Sequence, residues 1–323
     1  MPKPRKSQIS LEATPYYHCI SRCVRRAFLC GKDSQTGRSF EHRRGWIEHR
    51  LLALGQIFAV DIAAYAVMSN HIHLVVRLNK LAADQWSSLE VIQRWHQLFT
   101  GTALSKRALR GDKLSTFEQT ILELMIANWR KRLCDLSWFM RCLNEPVARQ
   151  ANLEDGATGR FWEGRFKSQA LLDEAALAAC MAYVELNPVR AKIADTPKNS
   201  DYTSIQRRVR CLKSAIGENS IVQPAELLPF VGNPREPAPD GLPFKLNDYL
   251  ELVDWSGRIV RKGKRGAIAA NAPAILQRLA ITPEIWERLS RQFTSKSALC
   301  FSCAQIASAN KKFFGLKRLR KAG

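Results

Sequence analysis

Two histidines separated by one residue, His71 and His73, are the residues whose types and spacing point most directly to chemistry. They lie in an apolar run, residues 70–76, whose composition predicts a β-strand. Because side chains alternate along a strand, both imidazoles face the same side of it. Two adjacent imidazoles on a rigid strand suit one divalent metal ion. A solvated pair of histidines without a metal is the alternative that this spacing leaves open.

A tyrosine in a second segment, Tyr183, adds a candidate nucleophile. The pattern predicts a helix over residues 173–187, with Asp173 as its N-cap and Pro188 at its end. Tyr183 and Asn187 are four residues apart and therefore share one helix face. A phenol can attack a phosphodiester, and an amide oxygen can bind a metal ion. The alternative is a tyrosine packed in the core with its hydroxyl hydrogen-bonded.

The elements that must position these side chains form a mixed pattern of strands and helices. Period-two and period-3.6 apolar spacing predicts strands over 15–23, 62–68, 71–78 and 166–172, and helices over 40–58, 82–150 and 173–187. Ser69 and Asn70 form a tight turn between two strands, so a hairpin precedes the histidines. A break is expected at Gly111 within the long helical region.

The charge of the chain limits the classes of partner. Its 323 residues include 50 Lys plus Arg against 29 Asp plus Glu, a net charge of +21. Such an excess of positive charge favours a polyanionic binding partner, above all a nucleic acid. No apolar stretch approaches the length of a membrane-spanning helix, and the basic N-terminus is not followed by the apolar region of a secretory signal. We therefore expect a cytoplasmic, nucleoid-associated protein that does not engage a membrane.

The nine cysteines predict a reduced protein without a disulfide framework. They are odd in number, scattered and mostly set in apolar runs, which is typical of buried thiols in a cytosolic protein. Cys300 and Cys303 form a lone C-x-x-C pair. Because no second pair or histidine accompanies them, incidental or core thiols are favoured over a zinc site.

Composition also divides the chain. A proline-rich stretch at 216–240 predicts a linker between a domain at 1–215 and a basic, mainly helical extension at 241–323, whose role the sequence leaves open. The first domain contains a helical insertion at about 82–132. The extension ends in a basic tail without acidic residues.

Five blocks carry a resemblance to a known family. They occupy residues 17–22, 65–76, 136–140, 159–166 and 183–191. In this order they resemble the HUH-type single-tyrosine transposases, where U is a hydrophobic residue, and most of all the branch associated with REP palindromes. The insertion at 82–132 and the segment 241–323 depart from that family's core.

The resemblance implies a fold and a set of site residues. The fold would be an α+β, ferredoxin-like sandwich with a central antiparallel sheet. His71 and His73 match the family's metal-binding pair, and Tyr183 matches its nucleophile. Asn187 matches a residue that often completes the metal site, with Glu185 as a fallback. Phosphate and base contacts are expected from a basic and aromatic set: Arg22, Arg25, Arg26, Arg160, Trp162, Arg165, Lys167 and Arg190.

The implied activity is cleavage and transfer of single-stranded or hairpin DNA through a 5′-phosphotyrosine. The cofactor would be Mg²⁺ or Mn²⁺, and no nucleotide is expected because no phosphate-binding G-x-x-x-x-G-K-[ST] loop occurs. Alternatives are a domesticated protein that only binds palindromic repeats, a metal-dependent nuclease without a covalent step, and another HUH enzyme such as a replication initiator or relaxase. The active species would be a monomer or a homodimer.

Overall fold

The computed structural model describes most of the chain. It covers residues 9–24, 29–33, 37–214, 222–232, 240–262, 273–292 and 300–301. The predicted DNA contacts Arg25 and Arg26 lie outside the described residues, as do Cys303 and the basic tail. Among the residues it covers, no helix combines the length and apolarity needed to cross a bilayer. Seven cysteines in these ranges are free thiols, and five of them are buried.

A four-stranded antiparallel sheet forms the centre of the molecule. Its strands are β1 (Tyr16–Arg22), β2 (Val60–Val67), β3 (His71–Leu78) and β4 (Lys167–Leu171), in the spatial order β2-β3-β1-β4. A two-residue strand, β5 (Cys300–Phe301), pairs in parallel with β4 at the edge. The strand order and the helical crossovers are those of the predicted ferredoxin-like sandwich, so the predicted fold class is confirmed.

Two helices cover one face of this sheet. They are α1 (His42–Ile57), which connects β1 to β2, and a later helix at Leu136–Glu154, labelled α6 because the insertion precedes it. The sheet contributes Tyr17, Cys19 and Leu74 to the apolar core beneath them. The alternation predicted from the sequence therefore places these side chains away from the two histidines.

The helical insertion separates β3 from α6. Its helices are α2 (Lys80–Gln85), α3 (Ser88–His96), α4 (Ala103–Arg110) and α5 (Thr116–Leu133). Side chains of Ser87, Thr102 and Ser115 accept hydrogen bonds from the backbone at three of the helix starts. Gly111 ends α4 with φ of 77°, which is the predicted break.

The opposite face of the sheet carries the segment that contains Tyr183. Helix α7 (Glu174–Glu185) begins at Asp173, whose side chain accepts a hydrogen bond from Ala176 N at 2.7 Å, as predicted. The predicted end is corrected: α7 stops at Glu185, and Pro188 lies in the first turn of a further helix, α8 (Asn187–Arg190). Proline is tolerated there because the N–H groups of a first helical turn have no acceptor within the helix. The lack of an N–H in proline therefore costs no hydrogen bond.

Helices from later in the chain cover α7. Of these, α10 (Leu246–Lys262) and α12 (Pro283–Gln292) contact it directly, while α9 (Ser204–Ser214) packs on β2 and α11 (Ala274–Arg278) packs on α10. Tyr249 of α10 and Trp286 of α12 pack with α7 in one apolar cluster. Gly257 allows α10 a close approach, since a Cβ there would lie 3.2 Å from Leu186 Cδ2. Because α7 is buried along almost its whole length, the sheet and the later helices hold it on both sides.

The described part of the proline-rich stretch also packs on the body of the protein. Leu228 and Phe230 belong to the same cluster as α7. Arg77 of β3 forms ion pairs with Asp61, at 2.5 Å, and with Asp240. The predicted boundaries of the domain, linker and extension stay predictions.

Candidate functional site

The register of the sheet places the two histidines and several polar partners on the face beneath α7. His71 lies opposite Arg22 of β1, and His73 lies opposite Ile20. On the other side of β1, His18 lies opposite Gln169 of β4. Directly opposed residues of antiparallel strands share a face. The three imidazoles therefore lie on one side of the sheet, beneath the helix that carries the tyrosine.

His71, His73 and Tyr183 come together on this face. The rings of His71 and His73 have centroids 4.7 Å apart and planes at 80°. The His73 and Tyr183 rings have centroids 5.5 Å apart and planes at 89°. The structure thus brings the predicted metal pair and the predicted nucleophile into one cluster, although they are separated by more than a hundred residues of sequence.

A buried hydrogen-bond chain fixes the tautomer of His73. Gln169 Oε1 lies 3.1 Å from His18 Nδ1, and His18 Nε2 lies 3.0 Å from His73 Nδ1. The amide oxygen can only accept, so neutral His18 carries its proton on Nδ1 and offers the lone pair of Nε2. His73 must then donate from Nδ1, which leaves its own lone pair on Nε2. The chain therefore prepares Nε2 of His73 as a ligand atom.

On His71, Nε2 is likewise the nitrogen that can serve as a metal ligand. Its Nδ1 lies 2.5 Å from the side-chain oxygen of Asn70, an acceptor that keeps the proton on Nδ1. Metal-binding histidines in proteins commonly donate their second ring nitrogen to such a partner, which holds the ring in place. His71 and His73 both have this arrangement.

All three imidazoles are held neutral. Burial lowers the pKa of His18 to about 4, against an opposing hydrogen bond from Gln169. Burial also lowers the pKa of His71 to about 4, and the charges of Arg22 and His18 add to the effect. Burial holds the pKa of His73 well below its usual value, and electrostatic repulsion from His18, His71 and Arg22 adds to the effect. A metal ligand must be unprotonated, so these shifts favour metal binding at neutral pH.

The donor set fits a divalent ion that completes its shell with oxygen. In the described ranges no group of three or more His, Cys, Asp or Glu side chains is placed to hold a metal. An ion at His71 and His73 would therefore need amide, water or phosphate oxygens, which Mg²⁺ and Mn²⁺ accept. Asn187 donates from Nδ2 to the carbonyl oxygen of Tyr183 at 3.1 Å, which leaves its Oδ1 as the atom for a metal.

The fallback ligand, Glu185, is committed elsewhere. It is fully buried and accepts hydrogen bonds from Ser204 Oγ at 2.6 Å and from Tyr249 Oη at 2.5 Å. Burial raises its pKa, while the nearby Arg208 charge opposes the shift. Glu185 thus links α7 to α9 and α10 and is unsuited to bind a metal beside His73.

Tyr183 lies in an environment with opposing effects on its phenol. The residue is 6% exposed, and burial raises the pKa of its hydroxyl. A hydrogen bond from the Asn187 side chain and the charge of Arg190 lower that pKa. The guanidinium carbon of Arg190 lies 5.1 Å from the centre of the Tyr183 ring. Arg190, predicted as a phosphate contact, is therefore placed to stabilise the phenolate.

Five other predicted DNA contacts lie in the described residues, two at strand ends and three in the segment before β4. Arg22 and Lys167 are exposed at neighbouring strand ends, on the sheet face of the histidines. Arg160 and Arg165 are exposed in the segment before β4. Trp162 is half-buried in that segment, and its Nε1 donates to Asn144 O at 2.9 Å.

The sequence assigned no role to His18. It lies in the first of the five blocks, and alternation along β1 places it on the same strand face as Arg22. Its contact with His73 depends on the register between β1 and β3, which bonds residues 55 positions apart. A strand-pairing constraint would have been the signal needed to find it.

Comparisons with known proteins give little further guidance. No protein-family model matches the sequence, and no curated protein shows significant similarity to it. Among solved structures, the chain is similar to a REP-associated tyrosine transposase bound to a REP hairpin. That match has 12% identity and a TM-score of 0.37, and it covers 72% of this chain and 100% of the other. Similarity this low does not establish a shared function.

Proposed function

We propose that this protein cleaves and rejoins single-stranded DNA, as a transposase does, with Tyr183 as nucleophile and a divalent metal ion at His71 and His73. The observation that supports the proposal is the 5.5 Å separation between the rings of His73 and Tyr183 on one sheet face. A nucleophile beside a pair of neutral imidazoles is suited to attack on a phosphodiester.

In the proposed reaction, the Tyr183 oxygen attacks the phosphorus of the scissile phosphodiester. The Tyr183 hydroxyl gives up its proton to solvent, a bond forms between its Oη and phosphorus, and the bond from phosphorus to the 3′ oxygen breaks. The leaving oxygen takes up a proton and becomes a free 3′-OH, while the DNA stays attached as a 5′-phosphotyrosine. Attack on that link by a 3′-OH reverses the step and joins strands.

The residues at the site would have separate roles in this reaction. His71, His73 and the Asn187 oxygen would hold the ion, and Mg²⁺ or Mn²⁺ would supply positive charge for the scissile phosphate. Asn187 and Arg190 lower the pKa of the Tyr183 phenol against the effect of burial. Arg22 and Lys167 face the same site and can contact flanking phosphates.

The test is the capture of the covalent intermediate. The full chain is incubated with Mn²⁺ and a labelled pool of hairpin oligonucleotides with randomised single-stranded flanks, then denatured and separated by electrophoresis. Wild type should give a labelled, denaturation-resistant adduct that EDTA prevents and that Tyr183→Phe abolishes. Tyr16→Phe is the matched control, because Tyr16 is a partly buried tyrosine on the face of β1 that also carries His18.

The remaining outcomes identify the competing functions. Cleavage by Tyr183→Phe at the wild-type rate would show a nuclease without a covalent step. Binding of the pool without any cleavage by wild type would show a protein that only binds DNA. Either result would overturn the proposed function.

A further inference from the structure

A cavity lies between α6 and the segment before β4, at the end of the sheet that is near the proposed site. Its volume is about 430 Å³, within the range of about 300–1,000 Å³ common for small-molecule sites. Met140, Asn144 and Ala148 line it from one side of α6, and Trp162, Gly164 and Phe166 line it from the segment. The cavity is large enough for one planar, ring-sized group.

Its walls are apolar and aromatic, and they are held in place. The Trp162 indole donates from Nε1 to Asn144 O at 2.9 Å, and the Phe161 ring meets it edge-on with centroids 5.0 Å apart. Phe166 and Met140 are buried behind the opening. Fixed aromatic walls suit stacking on a flat ring.

Backbone hydrogen bonds connect this cavity to the proposed site. Glu163 N donates to Arg22 O at 2.9 Å, and Val24 N donates to Phe161 O at 2.9 Å. Arg22 in turn lies opposite His71. The segment therefore runs beside the end of β1 as a further strand would. Two strand spacings of about 4.8 Å place its backbone roughly 10 Å from that of His71.

The rim of the cavity carries positive charge. Arg141 and Arg165 are exposed there. The acidic residue at the rim, Glu145, forms ion pairs with Arg141 at 3.1 Å and with Arg149 at 3.4 Å, so its charge is compensated. Guanidinium groups at the edge of an aromatic cavity suit a phosphate attached to the bound ring.

We propose that this cavity binds one unpaired nucleobase of the DNA strand that enters the Tyr183 site. The base stacks among Trp162 and Phe166 while its phosphate contacts the rim arginines. The assignment rests on the proposed function for its ligand, because it takes the occupant to belong to the same strand. Stacking is tolerant of base identity, so the cavity would hold a strand without reading its sequence.

A glycine in the wall allows a direct test. Gly164 lines the cavity, and a Cβ added there would meet no heavy atom within 4 Å, so Gly164→Leu adds an apolar side chain at the wall without a clash at its Cβ. Gly45 on α1 has the same open surroundings, and Gly45→Leu is the matched control. Thermal unfolding of both variants should show that the fold is retained.

The experiment measures binding of two probes by fluorescence anisotropy in EDTA. One is a labelled 12-mer of thymidine, and the other is an abasic 12-mer with the same phosphates. Wild type should bind the thymidine strand about tenfold more tightly than the abasic strand. Gly164→Leu should reduce that advantage to less than about threefold with unchanged affinity for the abasic strand, and Gly45→Leu should behave as wild type.

An equal thymidine advantage in wild type and Gly164→Leu would overturn the assignment, as would the absence of any advantage in wild type. Because EDTA prevents the metal-dependent step, the assay is independent of adduct formation. Failure of the cavity assignment and failure of the proposed reaction are therefore separate results.

Discussion

His18 Nε2 and His73 Nδ1 lie 3.0 Å apart, and their rings are nearly parallel, with planes at 13° and centroids separated by 5.2 Å. Both side chains are almost completely buried, and Gln169 continues the contact to β4. The orientation of His73 is thus determined by three strands rather than by its own hairpin. His18 has the contacts of a positioning residue for the proposed metal ligand.

Replacing His18 should weaken metal binding. His18→Phe fills a similar volume but removes the acceptor that fixes His73, so the affinity for Mn²⁺ should fall about 10–100-fold. Titration of the DNA-free protein, followed by electron paramagnetic resonance of free Mn²⁺, measures this. His42→Phe is the control, since His42 is an exposed histidine on α1. Unchanged Mn²⁺ affinity in folded His18→Phe would show that the contact has no part in metal binding.

Tyr183 should act with the histidines of its own chain. The cluster is complete within one chain, and α7 is enclosed by the sheet and by α10 and α12. Mixing Tyr183→Phe with His73→Ala should therefore restore no covalent adduct. The measurement is the adduct assay with the two variants at equal concentration. Recovery of a substantial part of the wild-type yield would instead mean that α7 exchanges between chains.

Removing Arg190 should shift the pH dependence of adduct formation. A positive charge near a phenol lowers its pKa, so Arg190→Ala should raise the pKa of Tyr183. Less phenolate is then present at a given pH, and the alkaline midpoint of the rate should move upward. Initial rates in a pH series that extends above 10 check this, because burial raises the pKa of the Tyr183 hydroxyl above its ordinary value. Arg190→Lys is expected to restore part of the shift.

The control for Arg190 is a second predicted phosphate contact, Arg160. It is exposed in the segment before β4, so Arg160→Ala should weaken DNA binding without moving the midpoint. A midpoint shared by wild type and Arg190→Ala would show that Arg190 contacts the DNA without acting on the phenol.

The hydroxyl of Tyr249 should stabilise the folded protein. Tyr249→Phe removes one of the two hydrogen bonds to the buried Glu185 carboxylate, so the free energy of unfolding should fall by about 1–3 kcal/mol. Urea denaturation measures the change. Arg141→Ala breaks an exposed ion pair and should cost less than about 1 kcal/mol. Equal, small losses in both variants would contradict a stabilising role for this contact.

Local patterns predicted the parts of the site that lie close together in the sequence. Alternation placed His71 and His73 on one strand face, and the four-residue spacing placed Tyr183 beside Asn187. Long-range features were not accessible in this way. The contact of His18 depends on strand register, and the polar Glu185 gave no sign that Tyr249, 64 residues later, would bury it. The packing of α10 and α12 on α7 is of the same kind, because an apolar helix face does not identify its partner.

The enclosure of α7 has a consequence for the order of events in the proposed reaction. A tyrosine on an enclosed helix cannot carry its attached strand to a distant acceptor without disrupting the apolar cluster around it. The protein would then stay fixed, and the DNA ends would exchange at the site. The freed 3′-OH would have to leave, and the acceptor end would have to arrive at the position it vacated. The rate at which one DNA end replaces the other would then determine whether the original strand is resealed or a new strand is joined. A movement of α7 would not be needed for either outcome.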